Sequence, residues 1–292
     1  MHPLTPPADW PHRNFSRHIA CKPHLWHVQE MGEGQLILLL HGAGGATHSW
    51  RHLMPLLAVD HRVVAIDLPG QGFTRLGARG RCGLDPMAED IARLCGAEGW
   101  QPMAIIGHSA GGALALRLAE MMPLRAVVGI NAALGSFDGV AGWLFPLMAK
   151  LLAITPLVAQ VFSRLNGTHA RVDSLLASTG STLDAEGRAQ YLTLLRSAGH
   201  VDATLAMMAQ WQLERLLARL PQQKTPCLLI AAAKDRAVPP AVSQRAAARM
   251  PHAAYAEIAG FGHLVQEENA QTVADVILPW LARQAAAPKM LS

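Results

Sequence analysis

The sequence predicts an α/β fold, with a mostly parallel central sheet flanked by helices and a helical cap inserted before the last strands. Three observations carry this. Short apolar runs, such as LILLL at 36–40 and RVVAI at 62–66, alternate with amphipathic stretches, the rhythm of repeated strand–helix units. Residues 103–119, MAIIGHSAGGALALRLA, read as strand, tight turn and helix. From about residue 132 to 223 the strand signal disappears while helical patterns continue. The expected boundaries are therefore 1–131 for the first part of the core, 132–223 for the cap and 224–292 for the second part.

A chain of 292 residues exceeds one average domain, but a single large α/β domain with an insertion uses it all. A hydrophobic share of 51% allows a sizeable core. The net charge of +4 is too weak to argue for a nucleic-acid partner. Cys21, Cys82, Cys95 and Cys227 show no metal or redox spacing and read as reduced thiols of a cytoplasmic protein. The stretch MHPLTPPADWPHRNFSR lacks the apolar core of a signal peptide. No run of about 18 residues is free of polar breaks, which argues against a membrane-spanning helix. No internal repeat or low-complexity tract is present.

Taken in order, residues 1–17 are rich in proline and basic groups and read as an irregular arm. HLWHVQE at 24–30 alternates as a strand near a sheet edge, and a Gly-rich turn follows. LILLL ends in HGAGG at 41–45; residues 50–58 read as an amphipathic helix; RVVAI ends in DLPGQG at 67–72. Arg75, Arg79 and Arg81 lie in a glycine-rich loop. It reads either as a solvated basic loop or as a docking patch for a carboxylate-bearing ligand or acidic partner. Asp85 looks like an N-cap with Pro86 at the first helical position, so a helix runs to about Cys95. Further strands are expected at 125–131, 226–233 and 253–258, and a last helix at about 269–286.

The turn G-H-S-A-G at 107–111 has a mechanical reason. It forces Ser109 into a strained backbone, and its small residues let strand and helix approach closely. The hydroxyl is then held above the sheet edge, and the Ala110 amide, at the helix start, points to where an oxyanion would form. Asp235 and His263 lie just past later strands, on the same rim of a parallel sheet.

In the cap, residues 139–162 are strongly apolar and hold Trp143, Phe145 and Met148, with Pro146 and Pro156 breaking them into short helices. Met207, Met208 and Trp211 form a second apolar group. These side chains read as packing against the core, as an adaptable lining for a large apolar ligand, or as a shallow contact with a membrane surface.

The strand–G-x-S-x-G–helix stretch, the order Ser…Asp…His and the two glycine loops together resemble the α/β-hydrolase superfamily. That resemblance implies a triad in which His263 takes the proton of Ser109 and Asp235 orients the imidazole. It implies a second oxyanion donor at Ala43, with Gly44 as the neighbouring alternative, and a bracing role for His41. DLPGQG resembles the superfamily's D-x-x-G-x-G loop, which supports strand order rather than chemistry. Asn131 and Asp138 mark the alternative acid region used by some relatives. Gly44, His108, Trp143, Phe145, Met148, Met207, Met208 and Trp211 are the expected substrate-pocket residues.

The blocks HGAGGATHSWRHLMPLLA, VVAIDLPGQGFTRLGARGRCGLDPMAEDIARL, VGINAALGSFDGVAGWLFPLMAK and HVDATLAMMAQW reach into the cap, where hydrolases diverge. With the DRAVPP and GHL segments they resemble the magnesium-chelatase accessory proteins of bacteriochlorophyll biosynthesis in phototrophic bacteria. The implied setting is magnesium insertion into protoporphyrin IX, with chelatase subunits as partners and a tetrapyrrole or other apolar ester as substrate. The chain carries no G-x-x-x-x-G-K-[ST] loop and cannot power chelation itself. Its 14 histidines are dispersed, and His24, His27, His48, His52 and His61 form no convincing metal site, so no cofactor is expected. Three functions follow: hydrolysis of an ester or related acyl bond, non-catalytic tetrapyrrole binding or presentation to the chelatase, and general carboxylester hydrolysis. The expected location is cytoplasmic, with peripheral contact to a membrane through the cap.

Overall fold

The apolar runs become the interior of an eight-stranded sheet in the computed structural model, which describes residues 5–135, 163 and 167–286. The strands are β1 (Ser16–Cys21), β2 (His24–Met31), β3 (Leu36–Leu40), β4 (Arg62–Ile66), β5 (Ala104–His108), β6 (Ala126–Ile130), β7 (Cys227–Ala232) and β8 (Ala253–Ile258). Their order across the sheet is β1-β2-β4-β3-β5-β6-β7-β8. The pairs β1–β2 and β2–β4 are antiparallel, and every later pair is parallel.

Side chains alternate across β3. Leu36, Leu38 and Leu40 join one core, with α2 (Leu84–Ala97), α3 (Ala110–Ala119) and the later helix Pro240–Arg249. Ile37 and Leu39 join the other, with α1 (Leu53–Leu57) and the C-terminal helix Ala270–Ala286. Burial on both faces explains why β3 to β7 are apolar at nearly every position. Each fully buried leucine or isoleucine contributes about 1.5–3 kcal/mol.

Between β6 and β7 the described residues hold helices and turns: α4 (His169–Ser178), α5 (Ala185–Arg196), α6 (Ala198–Gln210), α7 (Glu214–Arg219) and a 3₁₀ turn at Leu220–Gln222. After β7 come α8 (Pro240–Arg249), α9 (Val265–Glu268) and α10 (Ala270–Ala286). Trp143, Phe145, Met148 and Asp138 lie outside the described residues. Among the described residues, no helix is long and apolar enough to cross a membrane.

Three local expectations are corrected. The N-terminal arm is not irregular throughout, because Ser16–Cys21 adds an edge strand to β2. The helix expected over 50–58 is a 3₁₀ turn at Thr47–Trp50 followed by the short α1. Pro55 falls in the first turn of α1, where its missing N–H does no harm; a helix begun at residue 50 would have lost an internal bond there. Asp85 is not the N-cap of α2, since Gly83 is. The Asp85 carboxylate instead accepts from Arg117 Nε at 2.7 Å, tying α2 to α3.

Candidate active site

Ser109 caps α3 with φ 52° and ψ −116°, a conformation rarely adopted by a residue with a side chain. Its neighbours explain how the turn closes. A Cβ on Gly107 would sit 2.0 Å from the Gly111 carbonyl oxygen, and one on Gly111 would sit 2.0 Å from that of Leu40. The Ser109 amide donates to the Ile130 carbonyl at 3.0 Å, so β6 fixes the turn from one side. The half-buried Ser109 hydroxyl makes no hydrogen bond among the described residues.

Asp235 and His263 are brought together. Asp235 Oδ2 accepts from His263 Nδ1 at 2.7 Å, and its Oδ1 accepts the Ala237 and Val238 amides at 2.8 Å each. Both residues are buried. The turn after α4 locks their loops together, because the Thr179 carbonyl accepts both the Arg236 amide at 3.1 Å and the His263 amide at 3.3 Å. Ser181 Oγ accepts the Leu264 amide at 2.8 Å. The His263 carbonyl receives His108 Nε2 and Asn131 Nδ2, each at 2.8 Å. The two rings of His108 and His263 lie 4.7 Å apart, which brings the residue preceding Ser109 against the imidazole.

His108 is thus a brace for the His263 loop. Burial, then the neighbouring His263, holds its pKa well below the ordinary range. Neutral, it carries its proton on the nitrogen that donates. Asn131, from the alternative acid region, is also a brace, since its Oδ1 accepts the Ala232 amide at 2.8 Å. His41 braces as the resemblance implied. Its Nε2 accepts the Leu68 amide at 2.9 Å and its Nδ1 donates to the Gly42 carbonyl at 2.7 Å. Burial lowers its pKa, keeping that tautomer neutral.

The glycine loop after β3 separates Ala43 from Gly44. The Gly44 amide donates to Gln71 Oε1 at 2.8 Å, and the Gly45 amide to the Gly42 carbonyl at 3.0 Å. The amides of Ala43 and Ala110 have no partner among the described residues. Gly42 is pressed so close that a Cβ there would stand 2.9 Å from Ser109 Cβ. Two unengaged amides therefore flank the serine turn, the arrangement that stabilises charge on a carbonyl oxygen.

Reading the sequence missed the residues that hold this loop. Gln71 reaches from the DLPGQG turn to Gly44 and donates its Nε2 to Met207 Sδ at 3.1 Å. His200, on α6, accepts the Gly72 amide on Nδ1 at 3.0 Å and meets the Gly44 carbonyl through Nε2 at 3.2 Å. Its position three residues after the N-cap Ser197 marked it only as a helix residue. Of the other expected pocket residues, Met207 is buried in the core beneath α6. Met208 and Trp211 are half-buried, and Trp211 packs against the same core.

The basic loop is largely neutralised. Arg79 pairs with Asp202 on α6; Arg81 pairs with Glu89 at 2.9 Å and Asp90 at 2.8 Å. Arg79 and Arg81 each already hold a carboxylate, so a ligand carboxylate docking there would have to displace it. A cavity of about 390 Å³ opens elsewhere, lined by His52, Asp184, Glu267 and Gln271 among others, and none of the site residues above borders it. Among the described residues, no group of three or more His, Cys, Asp or Glu could hold a metal ion.

A strained serine on a strand–helix turn, a buried Asp–His pair and two open amides thus follow parallel strands on one rim of the sheet. The family model for the alpha/beta hydrolase fold matches residues 35–270, and the chain belongs to that family. More particularly, it is 46% identical to the magnesium-chelatase 30 kDa subunit of Rhodobacter capsulatus, over 96% of this chain and 99% of that one. It is also 29% identical to a pimeloyl-acyl-carrier-protein methyl ester esterase of Xanthomonas oryzae, over 88% of this chain and 98% of that one. Among solved structures, a thermophilic esterase from Thermogutta terrifontis superposes with a TM-score of 0.72 at 22% identity, covering 92% of this chain and 98% of that one. An alpha/beta hydrolase fold protein from Burkholderia ambifaria gives 0.77 at 21% identity, covering 91% and 97%. At those identities the structural matches speak for the fold alone.

Proposed function

We propose that this chain is a serine hydrolase of bacteriochlorophyll biosynthesis, acting beside magnesium insertion into protoporphyrin IX and cleaving an ester or related acyl bond. The observation that carries the chemistry is the 2.7 Å Asp235–His263 pair, on the same sheet rim as the strained Ser109 and with the His263 ring 4.7 Å from that of His108. His263 Nε2 takes the hydroxyl proton as Ser109 Oγ attacks the acyl carbon, and Asp235 steadies the imidazolium. The Ala43 and Ala110 amides receive the oxyanion, a donor of this kind being worth about 10²–10³ in rate. His263 returns the proton to the leaving alcohol, and water then releases the acyl group by the same route. The likeness to the magnesium-chelatase 30 kDa subunit along both chains supports the pathway. On this reading residues 132–223 form a cap whose apolar residues, Met208 and Trp211 with Trp143, Phe145 and Met148, hold a tetrapyrrole or another apolar ester. The protein works in the cytoplasm, with chelatase subunits as partners and the cap as its contact with a membrane surface.

The test is Ser109→Ala in two settings. In purified protein it should abolish labelling of the Ser109 peptide by a serine-directed phosphonate. In a pigment-deficient deletion strain, failure to restore bacteriochlorophyll with the folded variant abundant would support catalysis. Full rescue would assign the pathway role to tetrapyrrole binding or partner contact instead. Saturable quenching of porphyrin fluorescence separates both from a general carboxylesterase.

A further inference from the structure

A second serine in this chain completes an Asp–His pair, away from Ser109. Asp67 Oδ2 lies 2.7 Å from His27 Nδ1, and His27 Nε2 lies 3.0 Å from Ser16 Oγ. The three residues come from the loop after β4, the middle of β2 and the first position of β1. Asp67 and His27 are fully buried; Ser16 is half-buried.

The proton positions follow from the neighbours. Asp67 accepts the Thr47 amide on Oδ1 at 2.6 Å and the Phe73 amide on Oδ2 at 2.8 Å, so it is ionised. In the neutral imidazole that carboxylate holds the ring proton on Nδ1, which leaves the Nε2 lone pair facing Ser16. Gln29 Nε2 donates to Ser16 Oγ at 3.2 Å, so the serine is the acceptor there and its own proton points at His27. Phe73 and His18 flank the imidazole, each with its ring centre 5.4 Å away, and hold its plane. A hydroxyl bonded to a base that a third group orients is the arrangement of an activated nucleophile.

We propose that Ser16 is a second nucleophile, acylated by activated esters with His27 as general base. Ser16 Oγ forms a bond to the acyl carbon as its proton passes to His27 Nε2. The bond from that carbon to the leaving oxygen breaks, and His27 returns the proton to the departing alcohol. The products are acyl-Ser16 and one alcohol. The Ser16 amide is already engaged by the Arg13 carbonyl, so it cannot stabilise an oxyanion. The leaving group must therefore carry the reaction, which restricts the substrates to esters of acidic alcohols such as phenols. Deacylation meets the same lack, so the adduct persists stoichiometrically.

The test uses full-length Ser109→Ala protein, which makes it independent of the chemistry proposed at Ser109. After exposure to p-nitrophenyl acetate, intact-mass measurement and peptide mapping should find one acetyl group on Ser16, formed at least about 10²-fold faster than on the exposed Ser178. Adding Ser16→Ala should remove that adduct, and adding His27→Gln should slow it about 10²-fold or more. An unmodified Ser16, or a rate unchanged by His27→Gln, overturns the proposal. If His27→Gln does not fold, a Ser16 rate no faster than that of Ser178 overturns it equally.

Discussion

Two Asp–His pairs of equal length, 2.7 Å, sit in this chain, and they differ in what surrounds the third member. At Asp67–His27 the serine is already bonded to the imidazole, yet its own amide is occupied. At Asp235–His263 the serine hydroxyl is unbonded among the described residues, but two open amides stand beside it and its backbone is strained. If Ser109 is the nucleophile as proposed, the contrast implies that a connected Ser–His–Asp chain is not by itself what marks a hydrolytic site. Positioned amides at the place where negative charge develops weigh more, since both serines are half-buried alike. Catalytic hydrogen bonds commonly tighten only when substrate is bound.

The largest way to break the comparison is to remove the acid behind the proposed hydrolytic pair. Asp235→Asn should lower kcat for a p-nitrophenyl ester by about 10⁴-fold, because the imidazole loses the tautomer it needs. Steady-state kinetics with a circular dichroism check would measure it. A loss smaller than about tenfold would move the acid role away from Asp235.

At the other pair the expected effect is on stability. Burial alone would raise the Asp67 pKa, but the His27 imidazole and the Phe73 amide outweigh it and hold the group at about 2, below its ordinary 3.8. The unfolded chain then binds this proton before the folded one does. The stabilisation is complete above about pH 5 and is lost as pH falls through about 2. Asp67→Asn should therefore cost about 3 kcal/mol at neutral pH. The gap from the wild type should narrow as pH falls toward about 3, read from urea midpoints. A gap that stays constant over that range would mean that packing, and not the carboxylate's charge, carries the effect.

Much of this was legible in the residues themselves. LILLL, RVVAI and AAYAEI gave β3, β4 and β8 with their observed limits. The runs of β3 and β4, buried on two faces, need no partner to be recognised, and β8 is marked by its β-forming residues between turns. Ser109, Asp235 and His263 stood out because each follows a strand in a short loop. β1 was not legible, since SRHIAC buries only Ile19 and Cys21 and gains its identity by pairing with β2. The roles of His27, Gln71 and His200 were equally hidden. Each is a polar residue with a partner 27 or more positions away, at Asp67, Gly44 and Gly72. Their local patterns say only strand, turn and helix. HLWHVQE also misleads, because β2 is buried on both faces over its middle and its alternation does not mark an exposed side.

A smaller test sharpens the claim about the open amides. Gln71→Ala would release the Gly44 amide and let the glycine loop shift relative to Ser109. The expected result is a fall in kcat of about tenfold with KM nearly unchanged, the signature of an interaction made mainly in the transition state. A change in KM alone would make Gln71 a wall of the binding site instead.

The smallest expected effect belongs to the pair Arg79–Asp202, which joins the basic loop to α6 at partly exposed positions. Unlike Asp67, neither group is enclosed, so water and salt screen their attraction. Arg79→Gln and Asp202→Asn should each lower stability by less than about 1 kcal/mol, and 1 M salt should shrink even that. The same variants decide whether the loop greets a ligand. With its guanidinium held by Asp202, Arg79 has no reason to contribute to a propionate contact, and Arg79→Gln should leave the midpoint of a porphyrin-quenching titration within about twofold. A shift of tenfold or more, about 1.4 kcal/mol, would mean that the ligand displaces Asp202, and that the loop exchanges one carboxylate for another on binding.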